Sequence, residues 1–298
     1  MRVQQNMTIL HNSVNAITGR VDLHTHSTAS DGELDPAGLV RLAVERGLAV
    51  IALTDHDTVA GIDAAIDAAR GTGLEVIPGV ELSADVPQAE VHVLGYFVDW
   101  RDAYFESMLG KFRDGRYGRA EKMTRKLAAL GAPISFERVK EIAGDASIGR
   151  PHVAQALLEA GHVTTIAEAF DRYIGRNGPA YVERYRLTPE DAVGLILQAG
   201  GAPVLAHPRE VTNYVEPMVR AGMVGLEVYY GMYDDQAIQG LAHLARQYGL
   251  VMTGGSDFHG LNKMAHLSSL GQVYVPPEVV NKLRKKAEQI RKERAAYR

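Results

Sequence analysis

The 298-residue sequence contains no cysteine and only one tryptophan. The lack of cysteine excludes disulfide bonds and also excludes metal sites built from thiolates. No uninterrupted apolar run approaches the length of about 20 residues that a membrane-spanning helix needs. The first 20 residues lack the basic-then-apolar layout of a secretion signal. We therefore expect a cytoplasmic protein that does not associate with membranes.

The chain also lacks an excess of positive charge. It has 32 lysines and arginines against 36 aspartates and glutamates, which gives a formal net charge of −4. Binding to duplex nucleic acid usually requires a basic surface. The composition therefore argues against a duplex-binding protein. It still allows a small phosphorylated or single-stranded substrate that a few arginines could hold.

The hydrophobic pattern divides the chain into three parts. Residues 1–19 are polar and weakly patterned, and we interpret them as a mobile leader or a peripheral strand. Residues 20–99 and 186–298 alternate aliphatic strands with helices, whereas residues 100–185 show helical periodicity and many arginines. The alternation predicts an α/β fold with about seven strands, either a parallel barrel or a doubly wound sheet. The middle part is predicted to be a helical insertion that caps the substrate.

Strands are predicted wherever a β-branched or aliphatic run ends in Gly, Pro, Ser or Asp. The predicted strands are Val21–Ser27, Leu48–Thr54, Leu74–Leu82, Glu90–Val98, Pro203–Ala206, Leu226–Tyr230, Leu250–Thr253 and Gln272–Val275. The helices predicted within the insertion are Ala103–Leu130, Phe136–Ala143, Pro151–Ala160 and Thr165–Tyr173.

Histidines and carboxylates recur at these strand ends, far apart in sequence. They are His24, His26, His56, Glu81, His92, His207, Asp257 and His259. His24 and His26 are two residues apart, which places both side chains on one face of a strand. In barrels the carboxyl ends of the strands gather the chemistry. Imidazole and carboxylate groups suit Zn, Mn, Fe or Mg. The pattern therefore predicts a metal-dependent hydrolase.

Each of these residues also has an ordinary explanation by itself. His24 and His26 could simply be exposed or hydrogen-bonded, and His92 could be a satisfied core histidine. Asp57 could cap a helix, although it could also orient His56 or contact substrate, as could its neighbour Asp55. It is improbable that all of these ordinary explanations hold together at six separate strand ends. Charged groups without partners at the ends of buried strands are costly.

Arginines of the insertion form a second group. Arg113, Arg116 and Arg119 follow one another at three-residue spacing and share a helical face. The usual explanation for such a run is a solvated helix surface. Arg150-Pro-His152 is more specific, because it precedes a helix whose N-terminus favours anions. An arginine at this position could hold a phosphate bidentately.

Five segments together resemble the polymerase-and-histidinol-phosphatase (PHP) family of metal-dependent phosphoesterases. They are Asp22-Leu-His-Thr-His-Ser27, Leu53-Thr-Asp-His-Asp57, Gly79-Val-Glu81, Ala206-His-Pro208 and Gly255-Ser-Asp-Phe-His259. The resemblance covers about residues 20–99 and 186–275. It implies a distorted seven-stranded (β/α) barrel that holds two to three divalent metal ions, namely Mn, Fe or Zn.

The resemblance also implies a role for each ligand. The first metal would be bound by His24, His26, Glu81 and Asp257. Glu81 would bridge to a second metal, bound also by His92 and His207. A third metal would be held by Asp31, His56 and His259. The bridged cations would generate hydroxide from water for in-line attack on phosphorus. No protein general acid is assigned, because His207 and His259 would already be ligands.

Within the family, the insertion and Ile148-Gly-Arg-Pro-His152 look like the branch that acts on nucleotides. Members of that branch remove the 3′-phosphate from nucleoside 3′,5′-bisphosphates, and some trim short RNA or DNA from the 5′ end. We expect Arg150, His152 and Arg116 to bind the second phosphate of a small nucleotide or a short single-stranded oligonucleotide. The alternatives are a 5′-3′ exonuclease, a phosphatase for another metabolite, and a metal-binding regulatory module without catalysis.

Overall fold

The structure is a computed structural model that describes residues 17–86, 89–144, 146–183, 187–260 and 269–296. Residues 1–16, most of the predicted leader, lie outside the described residues. Among the helices within those ranges, none is both long and apolar enough to cross a membrane.

Seven strands form one sheet in which each strand pairs with the next along the chain. They are β1 (Arg20–Thr25), β2 (Leu48–Leu53), β3 (Glu75–Val86), β4 (Ala89–Tyr96), β5 (Ala202–Leu205), β6 (Gly225–Tyr230) and β7 (Val251–Gly255). The segment after β7 returns to β1, where the His26 amide donates to the Phe258 carbonyl over 2.9 Å. The predicted distorted seven-stranded α/β barrel is therefore confirmed, as a nearly closed mixed sheet.

The sheet is not parallel throughout, because β4 runs antiparallel to both β3 and β5. Only two residues separate β3 from β4, whereas a parallel connection needs a dozen or more residues. The two strands must therefore form a hairpin. A purely parallel barrel was the wrong prediction at this point, since apolar runs indicate strands but not their direction.

The predicted strand Gln272–Val275 is also wrong, because these residues are irregular. Pro276 and Pro277 follow at once, and proline lacks the amide that a ladder needs and restricts the residue before it. Val275 is nevertheless buried against the barrel. Its apolar character reflects packing and not strand pairing.

Ten helices are described around the sheet. They are α1 (Pro36–Glu45), α2 (Ile62–Ala69), α3 (Ala103–Ala129), α4 (Phe136–Ala143), α5 (Arg150–Glu159), α6 (Ile166–Ala169), α7 (Pro189–Gln198), α8 (Val215–Arg220), α9 (Asp235–Gln247) and α10 (Glu278–Ala296). Helix α1 shows why they begin where they do: the Asp35 carboxylate accepts from the Gly38 amide, and Pro36 occupies the first turn.

Both faces of the sheet are buried, and alternate residues of a strand belong to different apolar clusters. Ile51 and Leu53 of β2 pack in a cluster with helices such as α1 and α7. Val50 and Ala52 pack in a second cluster that includes α10. This two-sided burial explains why the strands read as nearly continuous apolar runs.

Helices α3 to α6 lie between β4 and β5 and share an apolar cluster of their own, which includes Met123, Leu127, Val139 and Leu157. A π-helical turn, Phe170–Ile174, continues α6. This group of helices supplies the arginines of the site.

Close contact between β6 and β7 depends on the absence of a side chain at Gly254. A Cβ there would lie 2.2 Å from the Tyr229 carbonyl oxygen and 2.5 Å from the Tyr229 Cβ.

We expect Gly254→Ala to lower the free energy of unfolding by about 1–3 kcal/mol, the usual cost of overpacking. Gly240→Ala is the control, because nothing lies within 4 Å of a Cβ at this position in α9. It should be neutral or stabilising by up to about 1 kcal/mol. Urea denaturation measures both, and equal effects would contradict the packing argument.

Candidate metal centre

Strand ends bring the predicted ligands to one place. His24 lies in β1 and His26 directly follows it, while His56 and His207 follow β2 and β5. Asp257 and His259 come after β7, and Asp31 lies in the turns beyond β1. Glu81 and His92 lie inside β3 and β4, because this hairpin extends past Pro78, where the β2–β3 pairing ends.

Glu81 is at the centre of the group, 1 % exposed, and its carboxylate faces five imidazoles. Its Oε2 lies 3.2 Å from a ring nitrogen of each of His24, His26 and His56. Its Oε1 lies 2.9 Å from His92 Nδ1 and 3.2 Å from His207 Nε2. One carboxylate therefore joins side chains from four other parts of the barrel.

Two more carboxylates complete the arrangement. Asp257 Oδ1 lies 3.3 Å from His24 Nε2 and 3.1 Å from His26 Nε2. Asp31 Oδ1 lies 3.3 Å from His259 Nε2. Donor atoms within 4.8 Å of one another form three overlapping groups: His24, His26, Glu81 and Asp257; His26, Asp31, His56 and His259; His56, Glu81 and His92.

Several donor atoms of this group are buried without a hydrogen-bond partner among the described residues. They are His24 Nε2, His26 Nε2, His56 Nδ1, Glu81 Oε2, His92 Nε2 and Asp257 Oδ1. Leaving such atoms unsatisfied costs about 1–3 kcal/mol each. Imidazole nitrogens and carboxylate oxygens that converge in this way fit divalent cations such as Zn, Mn or Fe. The residues present therefore suit a metal centre.

The charges of the group stabilise one another. Although burial acts to raise the pKa of Glu81, the surrounding histidines hold that pKa well below its usual range. Burial likewise acts to raise the pKa of Asp257, but nearby histidines, His24 foremost, hold that pKa well below its usual range. Burial acts to lower the pKa of His26, yet the adjacent carboxylates of Asp257 and Glu81 raise it to about 10. Burial dominates at His56 and lowers its pKa to about 3.

Strained backbone also concentrates here. Asp57, His207 and Asp257 have φ of 52°, 28° and 54°, in the left-handed region that non-glycine residues rarely adopt. Such strain costs about 1–3 kcal/mol per residue and persists where surrounding contacts enforce it. All three residues adjoin or belong to the group of donors.

Buried aspartates fix the loops that carry the donors. Asp55 accepts hydrogen bonds from the Ser27 amide and from the hydroxyls of Ser27 and Ser30, which secures the turn before Asp31. Asp22 accepts from the Ser256 amide and hydroxyl, just before Asp257. Asp55 therefore does not orient the ring of His56, which was one interpretation of the sequence.

Asp57 does not cap a helix, since α2 begins at Gly61 as its N-cap. Its carboxylate instead accepts from Arg116 Nε over 2.6 Å and from the Ser83 amide over 3.0 Å. This ion pair joins α3 to the barrel beside the donors.

Two residues of β6 that the sequence pattern did not single out, Glu227 and Tyr230, also contact the cluster. Glu227 Oε1 lies 3.0 Å from His24 Nδ1, and the Tyr230 hydroxyl donates to Asp257 Oδ2 over 2.9 Å. Glu227 carries the same signal that identified Glu81, a carboxylate inside an aliphatic strand after a glycine. Applying that criterion to β6 would have found it.

Most of the candidate metal ligands line a cavity of about 290 Å³. Its other lining residues include Glu90, Arg116, Arg150, Phe170 and Tyr230. Arg150 donates from Nη2 to Glu90 and lies over the Phe170 ring, 5.3 Å from its centroid. The predicted Arg150 thus faces the same space as the donors.

The predicted solvated face of the arginine helix is wrong for Arg116 and Arg119, each 6 % exposed. Arg116 binds Asp57 and the Ser83 hydroxyl, while Arg119 donates from Nε to the Val182 carbonyl. The spacing located their shared face correctly, but that face packs against the barrel.

His152 lies apart from the main cavity. It is 4 % exposed, and its Nδ1 accepts from the Gly149 amide over 2.9 Å at the start of α5. It lines a smaller neighbouring space of about 50 Å³ together with Asp31 and His259. The structure therefore brings Arg116 and Arg150, but not His152, to the larger cavity.

A barrel with such a cluster at its strand ends is typical of a metal-dependent hydrolase. A family model described as the PHP domain matches residues 22–190. The chain belongs to this family, which confirms the resemblance inferred from the sequence.

Relatives and solved structures agree with this assignment. The chain is 36% identical over 251 residues to a 5′-3′ exoribonuclease of Haemophilus influenzae, covering 82% of this chain and 91% of the relative. It is 34% identical over 247 residues to a 3′,5′-nucleoside bisphosphate phosphatase of Chromobacterium violaceum, covering 80% and 87%. A structure from Bifidobacterium adolescentis described as a metal-dependent phosphoesterase aligns with TM-score 0.81 and 29% identity, covering 89% and 96%. The protein is therefore a metal-dependent phosphoesterase.

Removing one imidazole should reduce metal binding at the centre. We expect His24→Ala or His26→Ala to lose at least one bound equivalent of Mn per chain and nearly all phosphoesterase activity, while circular dichroism stays native. His243→Ala is the control, because this histidine is exposed on α9. Metal analysis after dialysis gives the stoichiometry. Unchanged metal content in both variants would exclude His24 and His26 as ligands.

The metal-free protein should lose stability as the pH rises above 6.5. The folded-state pKa of His26 is raised from 6.5 to about 10, so its stabilisation is complete below pH 6.5 and disappears towards pH 10. His24, His207 and His259 also have raised pKa values. The lowered pKa of His56 has no effect well above pH 6.5, because the ring is then neutral in both the folded and the unfolded state.

Each such histidine can contribute up to about 1.4 kcal/mol per pH unit. Urea denaturation of the metal-free protein at several pH values measures the slope. Metal affinity should change in the opposite direction, because cations compete with protons for the same nitrogens. A free energy of unfolding that increases from pH 6.5 to 10 without metal would contradict these pKa shifts.

Proposed function

We propose that this protein hydrolyses phosphate from small nucleotides, preferentially the 3′-phosphate of nucleoside 3′,5′-bisphosphates. One observation supports the proposal: the same cavity is lined by candidate imidazole and carboxylate ligands and by Arg150, a cation that can bind a second anionic group. A cavity of about 290 Å³ is at the small end of ligand sites. A single nucleotide suits it better than a polymer does.

We also propose that the nine sequence-derived residues bind two to three divalent cations. His24, His26, Glu81 and Asp257 would hold the first, and Glu81 would bridge to a second with His92 and His207. Asp31, His56 and His259 would hold a third. Such cations, when bound, polarise phosphoryl oxygens and lower the pKa of water.

The residues of the chain would orient the substrate around this centre. The ester phosphate would lie at the donors, and the other phosphate would accept from Arg150. Phe170 is close enough to Arg150 to offer its ring to the base. Water then attacks phosphorus, the bond from phosphorus to the 3′-oxygen breaks, and the nucleoside 5′-monophosphate leaves with a free 3′-hydroxyl.

Glu90 competes with the second phosphate for the guanidinium of Arg150. Its carboxylate now accepts from Arg150, so an incoming phosphate must replace it or share the guanidinium. Arg116 is less available, because its Nε and Nη2 already bind Asp57 and Ser83. Arg150 is therefore the main residue for the second phosphate, and residues 100–185 act as the substrate cap through α5.

A second candidate function is 5′-3′ exonuclease activity on short single-stranded oligonucleotides. The relative from Haemophilus influenzae bears that name. The same geometry would hold a terminal 5′-phosphate at Arg150 and the first diester at the donors. The two functions differ in the product, which is inorganic phosphate in one case and a mononucleotide in the other.

Substrate comparison with Mn-loaded protein decides between them. Adenosine 3′,5′-bisphosphate should yield phosphate and adenosine 5′-monophosphate with a higher kcat/KM than that for mononucleotide release from a 5′-phosphorylated trinucleotide. The reverse order would favour the exonuclease. Metal-loaded protein without turnover on either substrate would reject both functions and favour a phosphatase for another phosphorylated metabolite.

Loss of Arg150 should affect bisphosphates selectively. We expect Arg150→Ala to lower kcat/KM for adenosine 3′,5′-bisphosphate about 10- to 100-fold, the value of one charge-assisted hydrogen bond. Cleavage of adenosine 3′-monophosphate, which lacks the second phosphate, should change little. Arg138→Ala is the control, because Arg138 is exposed on α4 and pairs with Glu141 and Glu159. Equal losses on both substrates would contradict a role in binding the second phosphate.

A further inference from the structure

Glu227 is a fully buried carboxylate of β6 that is not one of the nine proposed ligands, with a relative exposure of 0%. Its two oxygens contact two different histidines of the centre. Oε1 lies 3.0 Å from the Nδ1 atom of His24, and Oε2 accepts from the His207 amide over 2.8 Å. One side chain therefore joins β1 to the end of β5.

The first contact determines which nitrogen of His24 carries the proton. Oε2 of Glu227 already accepts from the His207 amide, and a carboxylate Oε1 beside His24 accepts as well, so Nδ1 donates to Glu227. In a neutral ring, the lone pair is then on Nε2. That atom points to Glu81 Oε2 and Asp257 Oδ1, at 3.2 and 3.3 Å.

The second contact supports a strained backbone. His207 has φ 28° and ψ 59° and precedes Pro208, and proline disfavours helical conformations at the residue before it. The hydrogen bond from the His207 amide to Glu227 holds this conformation. The His207 ring then places Nε2 3.2 Å from Glu81 Oε1.

We propose that Glu227 is a positioning residue that presents Nε2 of both His24 and His207 to the two oxygens of Glu81. It would thereby couple the first and second metal positions. Asp22 cannot take this part, because its carboxylate accepts from Ser256 and Gly271 and reaches only the backbone of His24. The inference rests on the proposed ligation by His24 and His207, and it is independent of the substrate.

Glu227→Gln tests this role with an almost isosteric side chain. If the amide oxygen accepts from the His207 amide, the NH2 group faces His24 Nδ1 and moves the ring proton to Nε2, where the metal would bind. If the amide is flipped, the NH2 group meets the His207 amide instead. One of the two contacts is lost in either orientation.

We expect Glu227→Gln to bind Zn about 10- to 100-fold more weakly, the usual effect of losing a partner of a metal-ligating histidine. Competition with a chromophoric chelator measures affinity and stoichiometry, and circular dichroism monitors the fold. Glu75→Gln is the control, because it makes the same substitution at a partly exposed carboxylate, which pairs with Arg284. Wild-type affinity in Glu227→Gln would overturn the proposal.

A measurement on the wild-type protein covers the case in which the variant does not fold. Long-range 1H–15N spectra of the Zn-loaded protein should show His24 with a slowly exchanging proton on Nδ1 and with Nε2 bound to metal. A bare or metal-bound Nδ1 would overturn the proposal. Wild-type protein that binds no Zn would reject the ligand set itself. Wild-type protein that binds Zn but does not cleave the bisphosphate would reject the proposed substrate alone.

Discussion

Burial of Glu81 among five imidazoles is the interaction on which the rest of the site depends. A carboxylate in this position is tolerated only because opposite charge and hydrogen bonds surround it. The histidines come from β1, β4 and the ends of β2 and β5, so the barrel must close around Glu81 for the charges to balance. Fold and chemistry therefore constrain each other: the strands position the donors, and the donors favour the closed arrangement of the strands.

Much of this could be predicted because periodicity and strand ends are local features. Runs such as Leu48–Thr54 and the carboxylate of Glu81 revealed strands and donors directly. Strand direction could not be read in this way, and the short connection between Val86 and Ala89 made β4 antiparallel. The irregular Gln272–Val275 had the composition of a strand but no place in a sheet that closes between β1 and the segment after β7.

The environment of charged side chains was harder to predict. Three-residue spacing showed that Arg116 and Arg119 share a face, but not that the face is buried, because burial depends on Asp57 and Val182 from distant parts of the chain. His152 is predicted to bind a phosphate, and the sequence pattern does not show that its Nδ1 also accepts from the Gly149 amide. Local pattern identifies which groups can interact, whereas only the tertiary structure decides their partners.

Arg176 joins the helices between β4 and β5 to the hairpin by donating to the Val86 and Ala89 carbonyls. The same hairpin carries Glu81 and His92 further along, so the cluster and the helices are attached to the same pair of strands. If Arg150 binds the second phosphate, substitutions around it would change which anionic group is bound and leave the histidine–carboxylate cluster intact. Substitutions in the hairpin would disturb the cluster and the helices together.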